Sequence, residues 1–319
     1  MSADETIGID LGGTKMLSGV LDCDSEVLWE DREASTGQSE EELVELLVGE
    51  IEEARVARPD AAAVGLGIPA TVDHERGLAV SAVNLPIENL PIRDLVEKRT
   101  GLPVFVDNDA NVAALAESLF GAARGAANAV MLTIGTGIGG GLILGGEVYR
   151  GSTGAGAELG HMVIDMDGPR CQGNCPNHGC VEAYASGTAL GRAGREAAER
   201  EPGSALGREL AAGRAIDGRT VTVAAQEGDA TAIGVFDLVG TRLGVALASF
   251  ANIFEPDVIV IGGGVIAAGD LLLEPARREL QARALPPMDR TPVVPAQLGS
   301  DAGMIGAAAM ARLELERAA

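Results

Sequence analysis

Basic residues, aromatic side chains, cysteine and histidine are all scarce in these 319 residues. Aromatics make up 3% of the chain, so its core must be built from Ala, Val, Leu and Ile. Lysine occurs only at Lys15 and Lys98, and 24 basic residues stand against 47 acidic ones, a formal net charge of -23. Such a surface repels phosphate backbones, which argues against nucleic-acid binding through a general basic face. It does not forbid a small anionic substrate, because backbone amides and a bound cation act locally. Met1 to Glu5 is acidic and leads straight into a strand, so no signal peptide is expected. The uncharged stretch Gly125 to Gly146 is too rich in glycine for a lipid-facing helix and fits a strand-turn-strand. A cytoplasmic protein with no membrane partner is the expectation.

What cysteine and histidine there is, is clustered. Three of the four cysteines and one histidine fall in Cys171-Gln-Gly-Asn-Cys175-Pro-Asn-His178-Gly-Cys180, and Glu158-Leu-Gly-His161 precedes them. In a reducing cytoplasm such a cluster favours metal over disulfide. His161, Cys171, Cys175 and Cys180 can complete a structural zinc site, with no open position left for a hydrolytic water. His178 competes with His161 as the fourth ligand, and a group of reduced structural cysteines is the plainer alternative. Cys23 is expected to be a small hydrophobe, and His74, among Asp73, Glu75 and Arg76, an exposed turn residue.

Thr6 to Asp10 is an apolar run that should form a buried strand entering a glycine turn, with Leu17 to Leu21 returning beside it. Ser39 and Glu42 make a capping box for a helix with the stripe Leu43, Leu46, Leu47, Ile51 and Ala54. Ala61 to Ile68 is a strand, Ile92 to Thr100 a helix stopped by Gly101, and Val104 to Asp107 a further strand before the helix Val112 to Phe120. Val130 to Ile134 then runs into Gly135-Thr-Gly-Ile-Gly-Gly-Gly141, with Leu142 to Leu144 as its return. Val181 to Arg200 is expected as one helix. Ala230 to Phe254 is a long helix interrupted near Gly240 and Gly244, and Val258 to Ile261 is a strand closed by Gly262-Gly-Gly264. Leu271 to Leu285 and Asp301 to Leu315 are the last helices. Ile7-Gly-Ile-Asp-Leu-Gly-Gly and Leu132-Thr-Ile-Gly-Thr-Gly-Ile-Gly-Gly are one device used twice, which implies two similar lobes.

The turns Gly12-Gly13-Thr14, Gly135-Thr136-Gly137 and Gly262-Gly263-Gly264 each follow a buried strand, where free amides can form an anion-binding nest. Tight hairpins also need glycine for positive φ, so no one of them is specific alone. The first narrowly misses the P-loop order and the second the dinucleotide fingerprint. Asp10 could coordinate Mg²⁺ through water, or cap turn amides. Asp109, in Asp107-Asn108-Asp109-Ala-Asn111 at the carboxyl end of a strand, is the better proton acceptor. Four polar groups in five residues exceed what one N-cap needs.

Taken in order, Asp10-Leu-Gly-Gly-Thr-Lys15, Asn108-Asp-Ala-Asn111, Gly135 to Gly141, Glu158-Leu-Gly-His161 and the loop ending Cys180-Val-Glu182 resemble the ROK (repressor, open reading frame, kinase) family, especially its bacterial glucokinases. The resemblance spans essentially the whole chain. It implies an α/β, two-lobed actin-like/sugar kinase/Hsp70-type ATPase fold with a duplicated mixed-sheet core. The expected lobes are 1–120 and 121–300, with the helix at about 301–319 returning to the first. One departure from the family loop Cys-x-Cys-Gly-x-x-Gly-Cys is evident. Aligned on Cys175, Gly179 and Cys180, Gly173 stands where the first cysteine belongs, Cys171 lies two residues earlier, and Pro176 replaces a glycine.

The resemblance also implies roles. Asp109 would be the general base toward the sugar 6-hydroxyl. Asn108, Glu158, His161 and Glu182 would hold other hydroxyls, with Gly67 and Asn84 near the same pocket. Asp10, Gly12, Gly13, Thr14 and Lys15 would face Mg²⁺ and the phosphates. Gly135, Thr136, Gly137, Gly139, Gly140, Gly262, Gly263 and Gly264 would hold the rest of the nucleotide. His161 would ligate Zn²⁺ and organise the sugar pocket with its other ring edge. The implied partners are glucose and ATP, in a homodimer. The rivals are a kinase for another hexose or an N-acetylhexosamine, a polyphosphate-using kinase and, less so, a sugar-sensing regulator, which would carry a winged helix-turn-helix ahead of the sugar domain.

Overall fold

The structure is a computed structural model that describes residues 5–12, 15–35, 39–82 and 85–318. The chain begins with the hairpin β1 (Glu5–Leu11) and β2 (Met16–Asp22), followed by β3 (Val27–Glu33) and helix α1 (Glu40–Ala57). Next come β4 (Val64–Ile68), a small three-stranded sheet of β5 (Ala70–Asp73), β6 (Leu78–Ala82) and β7 (Glu88–Leu90), and α2 (Ile92–Thr100). Strand β8 (Val104–Asn108) leads without a gap into α3 (Asp109–Phe120). Ser39 caps α1 by accepting from the Glu42 amide, and Gly101 ends α2 in the left-handed conformation. Both helix boundaries follow from local chemistry.

A second run starts with β9 (Ala129–Ile134), β10 (Ile138–Leu144) and β11 (Glu147–Val148). Helices α4 (Val181–Ala185), α5 (Gly187–Arg200), α6 (Ala205–Ala211), α7 (Gly218–Gln226) and α8 (Ala230–Phe254) follow. The chain closes with β12 (Val258–Gly262), α9 (Asp270–Arg283), β13 (Val293–Pro295) and α10 (Ala302–Ala318). The two large sheets have the orders β3-β2-β1-β4-β8 and β11-β10-β9-β12-β13. In each, the third, second, first and fourth strands of a run lie side by side with the run's last strand beyond the fourth, so the duplication seen in the sequence is a duplication of the mixed sheet.

Two compact units result, 1–125 with 141–157 and 297–319, and 126–140 with 158–296. The core of the first is the aliphatic set Ile7, Ile9, Leu47, Ile51, Leu66, Ile68, Val104 and Val106. Helix α10 lies on its sheet through small residues: a Cβ on Gly8 would strike Met304, and one on Gly65 would strike Ala307. Glu117, fully buried on α3, anchors the start of that return, accepting from the amides of Ala122, Gln297 and Leu298.

Several local expectations are corrected. Strand β3 was missed because it is an exposed edge strand with four charged residues, and only a fully paired strand must be apolar on both faces. Ser186 breaks the expected helix 181–200 into α4 and α5, capping the latter through the Ala189 amide. Helix α8 is continuous; Gly240 and Gly244 are where α9 crosses it, against Leu272, Pro275 and Ala276. It is long and apolar enough to cross a membrane, but 56% of its apolar window is buried in the protein. Cys23 is exposed, and its carbonyl accepts from Arg312.

Candidate active site

In the first unit, β1, β4 and β8 are parallel neighbours, and their pairing puts Asp10, Gly67 and Asp107 in one row at the carboxyl end of the sheet. Ligands of open α/β sheets gather at that end. Asn108 caps α3, its Oδ1 accepting from the amides of Ala110 and Asn111 at 2.9 and 3.3 Å. That cap places Asp109 in the first helical turn, half-buried. A Cβ on Gly67 would lie 3.8 Å from the Asp109 Cα, so the missing side chain keeps the space beside it clear.

The carboxylates here are electrostatically frustrated. Burial, and secondarily the charge of Asp109, pushes Asp10 up to about 7. Burial also raises Asp109, against the hydrogen bonds from Ala110 and Asn108 that favour its ionised form. Gly303, at the start of α10, is where the Asp10 carboxylate needs room: any Cβ there would collide with it.

Asp107 is engaged differently. Its side chain is 3% exposed and its Oδ2 accepts from Arg150 Nε at 2.7 Å. His74 sits beside it, 12% exposed, with Nδ1 2.8 Å from the Val106 carbonyl oxygen and 3.9 Å from Asp107 Oδ2. The exposed turn expected at His74 is therefore corrected: the ring is packed on β8. Of the other phosphate-side residues, Lys15 is exposed, and the Gly12 amide closes its own turn onto the Lys15 carbonyl at 2.8 Å. The expected roles of Gly13, Thr14 and Asn84 fall on positions outside the described residues.

In the second unit, β9 and β12 are parallel neighbours, so Gly135 and Gly263 leave the same end of the sheet. Gly263 has φ +86° and packs against Ile134, a conformation that excludes other residues. The Gly135 amide donates to Gly137 O within the turn, and Gly135 O accepts from Gly187 at 2.8 Å. The Gly12 and Gly135 amides are thus taken up inside their own turns, so any nest there would use the other amides of each turn. A cavity of about 710 Å³ opens here, lined by Gly135, Thr136 and Gly264 together with Thr188, Arg192 and Arg219. Gly139 and Gly140 instead lie inside β10, and Gly262 ends β12. Sequence reasoning missed the lining from α5, although Ser186-Gly187-Thr188 carries a helix-start signal.

The thiol cluster forms as expected. One donor atom from each of His161, Cys171, Cys175 and Cys180 lies within 4.8 Å of every other. Cys171 Sγ is 3.5 Å from His161 Nδ1, and the Cys175 and Cys180 sulfurs are 3.9 Å apart. A tetrahedron with ~2.3 Å metal–sulfur bonds has edges of ~3.8 Å. His178 points elsewhere, its Nδ1 at 3.2 Å from the Gly168 carbonyl oxygen. Burial, then the neighbouring thiols, pushes Cys171 up, the setting that a divalent cation reverses. His161 Nε2 is left 3.9 Å from Glu158. Glu182, 8% exposed, accepts from the Ile138 amide at 2.8 Å and lies 3.6 Å from Cys171 Sγ, which ties the thiol cluster to the glycine turn.

Known proteins resemble this chain in sequence and fold. The sequence profile of the ROK family matches residues 6–314. A glucokinase of Streptomyces coelicolor is 38% identical over 315 residues, covering 96% of this chain and 97% of its own. Among solved structures, a ROK family glucokinase from Streptomyces griseus in complex with glucose and AMPPNP is 37% identical, with a TM-score of 0.84 over 97% of this chain and 99% of that one. A ROK hexokinase from Thermus thermophilus is 38% identical, with a TM-score of 0.80 over 98% and 99%. With its duplicated sheet, its Asn108-Asp109 turn and its His-Cys cluster, the chain belongs to the ROK family.

Proposed function

We propose that this protein is an ATP-dependent glucokinase, transferring the γ-phosphoryl group of Mg-ATP to the 6-hydroxyl of glucose. The observation that carries the reading is Asp109. It is a half-buried carboxylate of raised pKa, fixed in the first turn of α3 beside Gly67 and Asp10. A base whose pKa is moved toward working pH is the better acceptor for a hydroxyl proton. The Streptomyces griseus enzyme, solved with glucose and a nucleotide, supports the choice of acceptor and donor.

The remaining roles follow the family pattern. Asn108 holds a neighbouring hydroxyl while capping α3, and Glu158, His161 and Glu182 are assigned to the sugar. The Glu182 carboxylate is already engaged by Ile138 and Cys171. Thr136, Gly264 and the N-terminal turn of α5 line the nucleotide cavity. Asp10 fits a magnesium ligand, being an oxygen donor whose charge is disfavoured by burial and then by Asp109 until a cation offsets it. Bound Mg²⁺ supplies charge neutralisation at the phosphate oxygens. Positioning and electrostatics supply the rest of the acceleration.

His161, Cys171, Cys175 and Cys180 suit a structural Zn²⁺: three soft sulfurs and an imidazole at tetrahedral spacing, with Glu158 orienting the free ring nitrogen. We assign the protein to the cytoplasm as a homodimer. Phosphorylation of a hexose panel, followed by ADP release, tests the reading. Glucose should show the highest kcat/KM, ahead of mannose, fructose and N-acetylglucosamine. An N-acetylated hexosamine winning in direct competition would replace glucose in this assignment, and activity with polyphosphate above that with ATP would replace the donor.

A further inference from the structure

The turn that carries Asp109 is held from behind. Asp107 is a buried carboxylate with three hydrogen bonds. Oδ1 accepts from the Asn108 amide at 2.8 Å and from Asn111 Nδ2 at 2.9 Å, and Oδ2 from Arg150 Nε at 2.7 Å. The first of these fixes the Asp107–Asn108 peptide, which leads into the Asn108–Asp109 turn, and the second reaches across the first turn of α3. Asn111 Oδ1 is buried with no partner among the described residues. An unsatisfied buried acceptor costs about 1–3 kcal/mol. The amide keeps that orientation because the other one would set its oxygen against the Asp107 carboxylate.

A buried carboxylate needs a cation, and Arg150 is the permanent one in contact with it. His74 is the other basic group nearby. Its Nδ1 proton goes to the Val106 carbonyl, and its Nε2 faces Glu314 Oε1 at 3.7 Å. Arg150 also borders a cavity of about 150 Å³ shared with Glu147, Glu314 and Arg317. Glu147 and Glu314 there are already paired with Arg317. Small ions can therefore reach the guanidinium from outside while its Nε holds Asp107.

We propose that Arg150 is a positioning residue for the phosphoryl-transfer step: by neutralising and orienting Asp107, it fixes the Asn108–Asp109 turn and so the direction of the proton-accepting carboxylate. This rests on Asp109 being the base. Arg150 touches neither substrate nor nucleotide in this scheme, so its loss acts on turnover rather than on binding. Its link to Asp107 spans 43 residues of sequence, and no motif announces it.

The test uses the full-length protein and the hexose that the wild type phosphorylates best. Arg150→Ala should lower kcat about 10-fold while the KM values for sugar and ATP stay within about 3-fold. Guanidinium chloride at tens of millimolar should restore Arg150→Ala at least about 3-fold relative to equal sodium chloride, an effect that a general loss of stability cannot produce. Arg150→Lys, which keeps the charge without the fork, should fall between the two. Where Arg150→Ala fails to fold, Asp107→Asn/Arg150→Ala removes the stranded charge and serves in its place, again with kcat reduced about 10-fold. The proposal is overturned by a folded Arg150→Ala, or a folded double variant, with kcat within twofold of wild type. It is equally overturned by a loss confined to KM, or by no response to guanidinium. A wild type that phosphorylates no hexose would instead overturn the kinase reading, and the positioning role with it.

Discussion

In the first unit the opening strand carries Asp10 one residue before its end at Leu11; in the second, the equivalent strand ends in Ile134 and the position matching Asp10 is Gly135. The sheets share one strand order, yet the groups at their carboxyl ends differ in kind. The first copy presents carboxylates: Asp10 and Asp109 half-buried and pushed toward protonation, Asp107 buried and neutralised by Arg150. The second presents peptide groups, the Thr136 and Thr188 hydroxyls and a thiol cluster. The duplicated sheet is a scaffold, and function resides in the few residues that follow each strand. In the assignment proposed above, the first copy supplies the proton acceptor and a magnesium ligand, and the second the nucleotide cavity and the thiol cluster.

The largest effect should come from the first unit. Asp109→Asn keeps the volume and removes the proton acceptor, so turnover should fall ~10²-fold or more, at least ~3 kcal/mol of transition-state stabilisation. Nucleotide affinity, to which Asp109 is assigned no contact, should be unchanged when measured by calorimetry. Asp10→Asn should invert that pattern, raising the KM for Mg-ATP before it lowers turnover. Near-normal turnover in a folded Asp109→Asn would end the division of labour drawn above and move the search for the base to Glu158 and Glu182.

The second unit should answer through its metal. Purified protein should contain about one zinc per chain, and Cys175→Ala should lose it. Glucose affinity should then weaken ~10-fold, because a ligand loosened at Cys175 frees His161, whose outer nitrogen is oriented only while its inner one is held. Elemental analysis without zinc, or a disulfide within the cluster, would remove the metal from the comparison.

Much of this was legible in the sequence because its causes are local. Ser39 with Glu42, and Ile92 to Thr100 before Gly101, state their helices within one or two turns. The two glycine turns state the duplication, and Asn108-Asp109 states its own cap. What was not legible depends on residues far apart in the chain. Strand β3 is specified by β2 beside it rather than by its own polar residues. His74 is bonded to the Val106 carbonyl of β8, and Arg150 finds Asp107 across 43 residues. The Gly12 and Gly135 amides looked available because a sequence does not show which carbonyl closes a turn.

The smallest effect sharpens the comparison from outside the site, at a carboxylate that carries no chemistry. Glu50, on α1, is 3% exposed and bonded to the Ser18 hydroxyl of β2. Burial raises its pKa above the ordinary 4.5, the Ser18 bond opposes this, and Asp31, Glu33 and Glu53 add to it. The folded state therefore holds the proton to a higher pH than the unfolded chain does. Stability attached to this group is present below the unfolded value and declines as pH rises through the folded one. Glu50→Gln abolishes that titration and keeps an acceptor for Ser18. At pH 8 it should melt above wild type by a margin of about 1 kcal/mol, the scale of the hydrogen bond that partly offsets the burial. The margin should shrink as pH falls toward 4, with turnover on glucose unchanged throughout. A melting temperature below wild type at pH 8, or a difference that ignores pH, would show that burial is no penalty at Glu50. The raised carboxylates at Asp10 and Asp109 would then need a cause other than the low dielectric that the first unit's core imposes on both places.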